Sequence, residues 1–174
     1  ALILILTKGV DFKYLCSEMV KDSSINPIKI LVLFITMTIL SIFLDEVGFF
    51  SYLASKTLKL AQNNQTKLFV WLYLIVSVLT VFTSNDIIVL TFTPFICYFA
   101  KNAKIKALPY LITEFVAANT MSMTLIIGNP TNIYIATANG IGFLDYLKVM
   151  ILPTLASAII SFVVLYLIFR KDLK

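Results

Sequence analysis

Long apolar runs alternate with short polar interruptions along the whole chain. Residues 1–6 are apolar and read as the tail of a truncated membrane span whose start precedes them. Residues 8–26 are polar and charged, a loop with room for a short helix. Pro27 suits the first position of a helix, with Asn26 as its cap. Residues 28–44 (IKILVLFITMTILSIFL) are long enough to cross most of a hydrocarbon core about 30 Å thick. Asp45, Glu46 and Gly48 interrupt this run, and an amphipathic stretch with Ser51, Ser55 and Lys59 on one stripe continues to Ala61. Together, 28–61 read as a scaffold span. Residues 68–82 are apolar, Thr83-Ser84-Asn85-Asp86 interrupts, and 87–100 resume before Lys101, Lys104 and Lys106 close the block. The next segment, 107–138, carries Glu114, Asn119 and Thr120 and is broken by Gly128-Asn129-Pro130-Thr131-Asn132. A turn at 139–142 leads through an interfacial stretch to the last span, 149–169, which Arg170 and Lys171 stop.

Composition narrows the class. Of 174 residues, 60% are hydrophobic and 13% charged, against about a quarter charged in a soluble domain. Soluble globular and disordered chains are excluded, and the lipid bilayer is the first partner. With no His, there is no His-ligated zinc and no Ser-His-Asp triad. No enzyme is expected, with no catalytic residue and no cofactor beyond a coupling Na⁺ or H⁺. Cys16 and Cys97 give no disulfide framework. The net charge of +5 reflects cations at span ends, not nucleic-acid binding. Nine of the 14 cations, Lys101 among them, fall on one side and five on the other, so the Lys101 side reads as cytoplasmic. The expected location is the inner (cytoplasmic) membrane, with several passes.

Two interruptions stand out. Both ends of 67–101 fall on one face, which fits two short spans or one re-entrant hairpin. The hairpin is favoured by a short connection without Lys or Arg and by Thr83-x-x-Asp86, a capping-box pattern that starts a helix. From Lys67, Thr83 lies about 24 Å along a helix, near the bilayer midplane. In the second interruption, Gly128 can end one half-helix while Asn129 caps the next, with Pro130 at its first position. Counted from Gly142, Thr131 lies about 16 Å deep. Irregular backbone at such depth has to be buried in protein or line a cavity. Secondary transporters place half-helix N-termini there, around substrates and coupling ions. Such ends favour oxyanions or oxygen-rich ligands, while freed carbonyls with Asn and Ser oxygens suit Na⁺. Either motif alone is usually a cap or a turn; their pairing inside apolar segments is what points to a site. Asp86 and Glu114, acids within apolar segments, are proton-coupling candidates, although Glu114 equally fits a pairing with a lysine or polar neighbour. Asn119, Thr120 and Ser122 fit helix–helix hydrogen bonding as well as ligand contact. Thr91 and Thr93 are placed to satisfy carbonyls freed by Pro94.

The runs LDEVGFF (44–50), SNDIIVLTFTP (84–94), AANTMSMTLIIGNPTNIYIA (117–136) and FRKD (169–172) resemble the first, N-terminal half of the arsenite/antimonite permease family. That family lies within the ion transporter superfamily, with D-type Na⁺/H⁺ antiporters, citrate–metal permeases and sodium–dicarboxylate symporters. The resemblance implies two inverted repeats, each with a re-entrant hairpin and a broken helix that together form half of a site. It implies substrate contacts from Ser84, Asn85, Asp86, Asn129, Thr131 and Asn132, and a Na⁺ set of Ser84, Asn85, Gly128 and Asn132. Asp86 stands where dicarboxylate symporters usually carry Thr, which leans towards proton coupling. The GNPTN break is more polar than the arsenite-permease form and is closer to other anion-type members.

The fold expected is therefore all-α and polytopic, a single unit over 1–174 forming one inverted-repeat half. Only one hairpin and one break occur, so a second transporter half is the expected partner, with a homodimer as an allowed assembly. The expected function is a secondary active permease for a small anion or metalloid oxyacid such as arsenite, coupled to H⁺ or Na⁺, with an elevator-like movement of the hairpin domain. The alternatives are citrate or dicarboxylate transport, Na⁺/H⁺ exchange, or a truncated subunit that does not transport.

Overall fold

Local capping sets the helix boundaries. The computed structural model describes residues 11–21, 26–62 and 64–173. The expected span over 1–6 lies outside the described residues. All regular elements among them are helical: α1 (Phe12–Val20), α2 (Pro27–Glu46), α3 (Phe49–Ala61), α4 (Gln65–Phe82), α5 (Asn85–Ala103), α6 (Leu108–Met121), a 3₁₀ turn (Ile126–Gly128), α7 (Pro130–Ala138) and α8 (Phe143–Phe169). Of these, α2, α4 and α8 are long and apolar enough to cross a membrane.

Asn26 caps α2 as expected, its side-chain oxygen accepting from the Ile28 and Lys29 amides with Pro27 at the first position. The stretch 28–61 is two helices, because the chain turns at Val47 and Gly48. Gly48 adopts φ +77°, a left-handed conformation that costs glycine little. Asn64 caps α4 through the Lys67 amide. At the other end of α4, Thr83 departs from expectation. Its hydroxyl donates to the Leu79 carbonyl at 2.8 Å, so it closes α4 and forms no capping box for α5. Ser84 precedes α5 with extended backbone and no side-chain cap.

The core is built around α6, which packs on α4, α5 and α8. Ala117 and Ala118 are fully buried on it. Such small side chains let neighbouring helices approach closely where lipid supplies no hydrophobic drive for association. From α4, Phe69, Leu72, Tyr73 and Val76 form the buried stripe; from α5, Ile88, Phe92 and Ile96 do so at a four-residue spacing. Phe50 at the start of α3 meets Phe92 edge to face. A polar latch holds α8: the Tyr73 hydroxyl donates to the Ala158 carbonyl at 2.7 Å and pairs with Ser161 Oγ at 2.9 Å. Phe162 packs on both Tyr73 and Phe69 beside it. Lys106, between α5 and α6, pairs with Asp172 just past α8. The outer face of α8, with Leu152, Ile159, Ile160 and Ile168, is exposed and apolar, as a helix facing lipid should be.

Phe69→Ala removes a fully buried ring from the α4–α6–α8 junction and should cost about 3–5 kcal/mol. Leu152→Ala on the outer face should stay within about 0.5 kcal/mol. Thermal unfolding of the two purified variants in one detergent checks the contrast; equal melting shifts would contradict this packing.

Candidate functional site

Among the described residues, the start of α5 is where two consecutive buried side chains lack partners. Ser84 and Asn85 are buried, and Ser84 Oγ and Asn85 Oδ1 have no hydrogen-bond partner. The Asn85 amide nitrogen donates to Asn119 Oδ1 on α6 at 3.1 Å. Asn119 is itself fixed, its amide nitrogen donating to the Phe115 carbonyl at 2.8 Å. The first intrahelical bond of α5 runs from the Ile88 amide to the Ser84 carbonyl, so the leading N–H groups of the helix carry no side-chain cap. Asp86 is exposed in this first turn. With Asn85, Val89, Leu90, Phe115 and Asn119 it lines a cavity of about 290 Å³, and no Lys or Arg belongs to that lining.

The second motif folds back on the end of α6. Asn129 caps α7, accepting from the Thr131 amide at 2.9 Å, and Pro130 takes the first position. Asn132 turns inward: its amide nitrogen donates to the carbonyls of Ser122 at 2.9 Å and Leu125 at 3.2 Å. Ser122 Oγ donates to the Asn119 carbonyl, and Thr124 Oγ1 to that of Met121. Gly128 lies so close to this turn that a Cβ would sit 2.2 Å from the Ser122 carbonyl oxygen. Only glycine fits there.

These bonds make a chain running from Asn85 through Asn119 and Ser122 to Asn132. The two interruptions are thus tied through the last turn of α6; among the described residues no hydrogen bond joins them directly. Of the sequence candidates, Ser84 and Asn85 present free oxygens and Asp86 borders the cavity. Asn129, Asn132 and Gly128 are occupied in building the break, and the Thr131 side chain is exposed. Asn119 is the residue that the sequence left level with ordinary packing, although its place on the helix entering the break was a signal. Glu114 is buried, its Oε2 accepting from Thr93 Oγ1 at 3.1 Å while Oε1 has no partner. Thr93 therefore serves Glu114 and not a carbonyl freed by Pro94. Among the described residues no cluster of His, Cys, Asp or Glu could hold a metal ion.

Gly128→Ala forces the turn apart and should sharply reduce the yield of folded protein. Asn132→Ala removes the donor to the Ser122 carbonyl, while the Leu125 carbonyl keeps the Gly128 amide, and should cost about 1–3 kcal/mol. Fluorescence-detected gel filtration after heating reads both; a wild-type profile for Gly128→Ala would refute the close approach.

Comparison with known proteins identifies a family. The family model CitMHS, described as citrate transporter, matches residues 2–174. The arsenical pump membrane protein of Escherichia coli K12 is 32% identical over 143 residues, covering 80% of this chain and 33% of that protein. The arsenical pump membrane protein of Yersinia enterocolitica is 29% identical over the same length, again 80% of this chain and 33% of that protein. A 46 kDa membrane protein of Mycobacterium leprae is 28% identical over 119 residues, 68% of this chain and 28% of that protein. The chain spans between a quarter and a third of the length of the curated relatives first matched. No solved structure matches it. An all-helical chain with apolar helices of membrane-crossing length, matched along almost its whole length by this family model, is a membrane protein of the CitMHS citrate transporter family, a family of transporters and not of enzymes.

Proposed function

We propose that this chain forms one half of a secondary active transporter that moves a small metalloid oxyacid such as arsenite, coupled to H⁺ or Na⁺. The observation that carries this reading is the uncapped start of α5, where Ser84 Oγ and Asn85 Oδ1 are buried without partners beside the 290 Å³ cavity. Buried polar atoms without partners are costly and rare, and a ligand hydroxyl or a cation would satisfy them. In this reading 67–101 form a re-entrant hairpin with its tip near the midplane. The broken helix 107–138 faces it, and the Lys101 side lies in the cytoplasm across the inner membrane. A second half of the transporter completes the site, and the hairpin domain moves against a scaffold that includes α2 and α8.

The lining speaks to substrate charge. Arsenious acid is uncharged at neutral pH and carries three hydroxyl donors. Asn85, Asp86 and Asn119 line the cavity and offer oxygen acceptors for such donors, and the lining holds a carboxylate and no cation. A polycarboxylate would meet Asp86 with no counter-charge from the cavity lining, at a Coulombic cost. Citrate is the second reading, favoured by the description of the family model. It requires the other transporter half to supply the cations.

The test is counterflow of arsenite and of citrate by the full-length protein in proteoliposomes. Asn85→Ala and Asn119→Ala should each lower arsenite counterflow about tenfold or more, the equivalent of roughly 1.4 kcal/mol of lost contacts. Undiminished counterflow at normal expression would remove both residues from the site.

A further inference from the structure

We infer that Glu114 carries the coupling proton of the transport cycle, holding it while the α5–α6 seam is closed and exchanging it with water when the seam opens. This rests on the transport reading above. Glu114 is 1% exposed, the one buried acid among the described side chains. Among the described residues it forms no ion pair. Its single hydrogen bond comes from Thr93 on the neighbouring helix, and Oε1 has no partner.

The charged and titratable groups of the surrounding helices lie elsewhere. On α5, Asp86 lines the cavity, and Cys97, Tyr98 and Lys101 are exposed. On α4, Lys67 bonds Gln62 and Tyr73 is latched to α8. Tyr110, at the start of α6, bonds Gln65. On α8, Lys148 pairs with Asp145, and none of Tyr146, Tyr166 and Arg170 at its end bonds Glu114. An ionised carboxylate buried here would face one hydroxyl donor and no cation, a cost that the neutral acid avoids. The Thr93 hydroxyl can donate to the carboxylate or accept from the acid, so it suits both forms.

The location links this acid to the site without placing it in the site. Thr93–Glu114 and Asn85–Asn119 are bonds between the same two helices. Along α5 they are about 12 Å apart, and along α6 about 7.5 Å. Glu114 is absent from the cavity lining. Displacing α5 along α6 would break both pairs together. The carboxyl would then meet water and release or bind one proton, while the substrate cavity changes shape. Coupling thus runs through a shared seam, and Asp86 remains a substrate contact.

The experiment uses the full-length protein in proteoliposomes with an entrapped pH dye. Glu114→Gln mimics the protonated acid and cannot release a proton. It should keep arsenite counterflow at equal pH on both sides, yet lose uphill accumulation driven by a pH gradient by about tenfold or more, together with the dye response. Wild-type accumulation and dye response in Glu114→Gln would overturn the assignment. So would loss of counterflow as well in a protein that melts like wild type, since that marks a packing or substrate role. If Glu114→Gln does not fold, Thr93→Val carries the test. It should shift the pH dependence of gradient-driven accumulation, and an unchanged dependence overturns the proposal. Failure of the unmodified protein to exchange arsenite would instead remove the transport reading on which this rests.

Discussion

Carbonyls released where a helix stops in apolar surroundings have to find donors inside the protein, and the end of α6 is where this chain meets that requirement. Asn132 donates to two of them, Ser122 and Thr124 to one each. The turn can tighten this far because Gly128 has no Cβ to strike the Ser122 carbonyl. A consequence reaches the other motif. The last helical turn of α6 carries Asn119, whose amide is pinned by the Phe115 carbonyl. That leaves its side-chain oxygen facing the amide nitrogen of Asn85. The break thus helps to set the start of α5 through Asn119, which lies 34 residues from Asn85, its partner.

Polar atoms divide into two kinds on this frame. Those at the break are paired, and their side chains serve the backbone. Of the five buried unpartnered atoms among the described residues, Ser84 Oγ and Asn85 Oδ1 lie at the start of α5 and Glu114 Oε1 lies on α6 facing α5. The other two, Ser77 Oγ and Thr154 Oγ1, sit on α4 and α8 and are hydroxyls on largely apolar helices. Fully satisfied polar groups rigidify a core, whereas unsatisfied ones raise its energy until something binds. In the proposed transporter the seam carries the binding chemistry for that reason, and the break carries the architecture that holds it.

Much of this was legible in the sequence because apolar runs and their interruptions report directly on burial. The helix starts at Pro27 and Pro130 follow from Asn caps followed by Pro, and both bonds form as expected. The hydroxyl residues were harder to place. Thr83 had a choice between opening α5 and closing α4, and a carbonyl four residues back won. Thr93 chose a carboxylate on another helix over its own backbone, a contact 21 residues away that no local pattern encodes. For Asn132 the resemblance implies a ligand contact, and no local pattern gives the partners of its amide, which in the folded turn serves carbonyls at Ser122 and Leu125, up to ten residues earlier. Side chains with one donor and several local acceptors are decided by tertiary packing, and Asn119 was ambiguous for the same reason.

The weakness of interhelical hydrogen bonds in membranes gives the seam its character. Such bonds average about 0.6 kcal/mol, because helices separated in lipid also find partners for their polar groups. Asn85–Asn119 and Thr93–Glu114 together are therefore too weak to hold α5 against α6. The holding is done by packing, with Ile88, Phe92 and Ile96 buried along α5 and Phe50 set edge-on against Phe92. Packed side chains at a four-residue spacing are compatible with more than one register, since a shift by one turn returns apolar side chains to apolar neighbours. The polar pairs select one register without deepening it greatly. A helix held in this way can exchange one alignment for another at modest cost, which is the mechanical property that the proposed transport cycle requires.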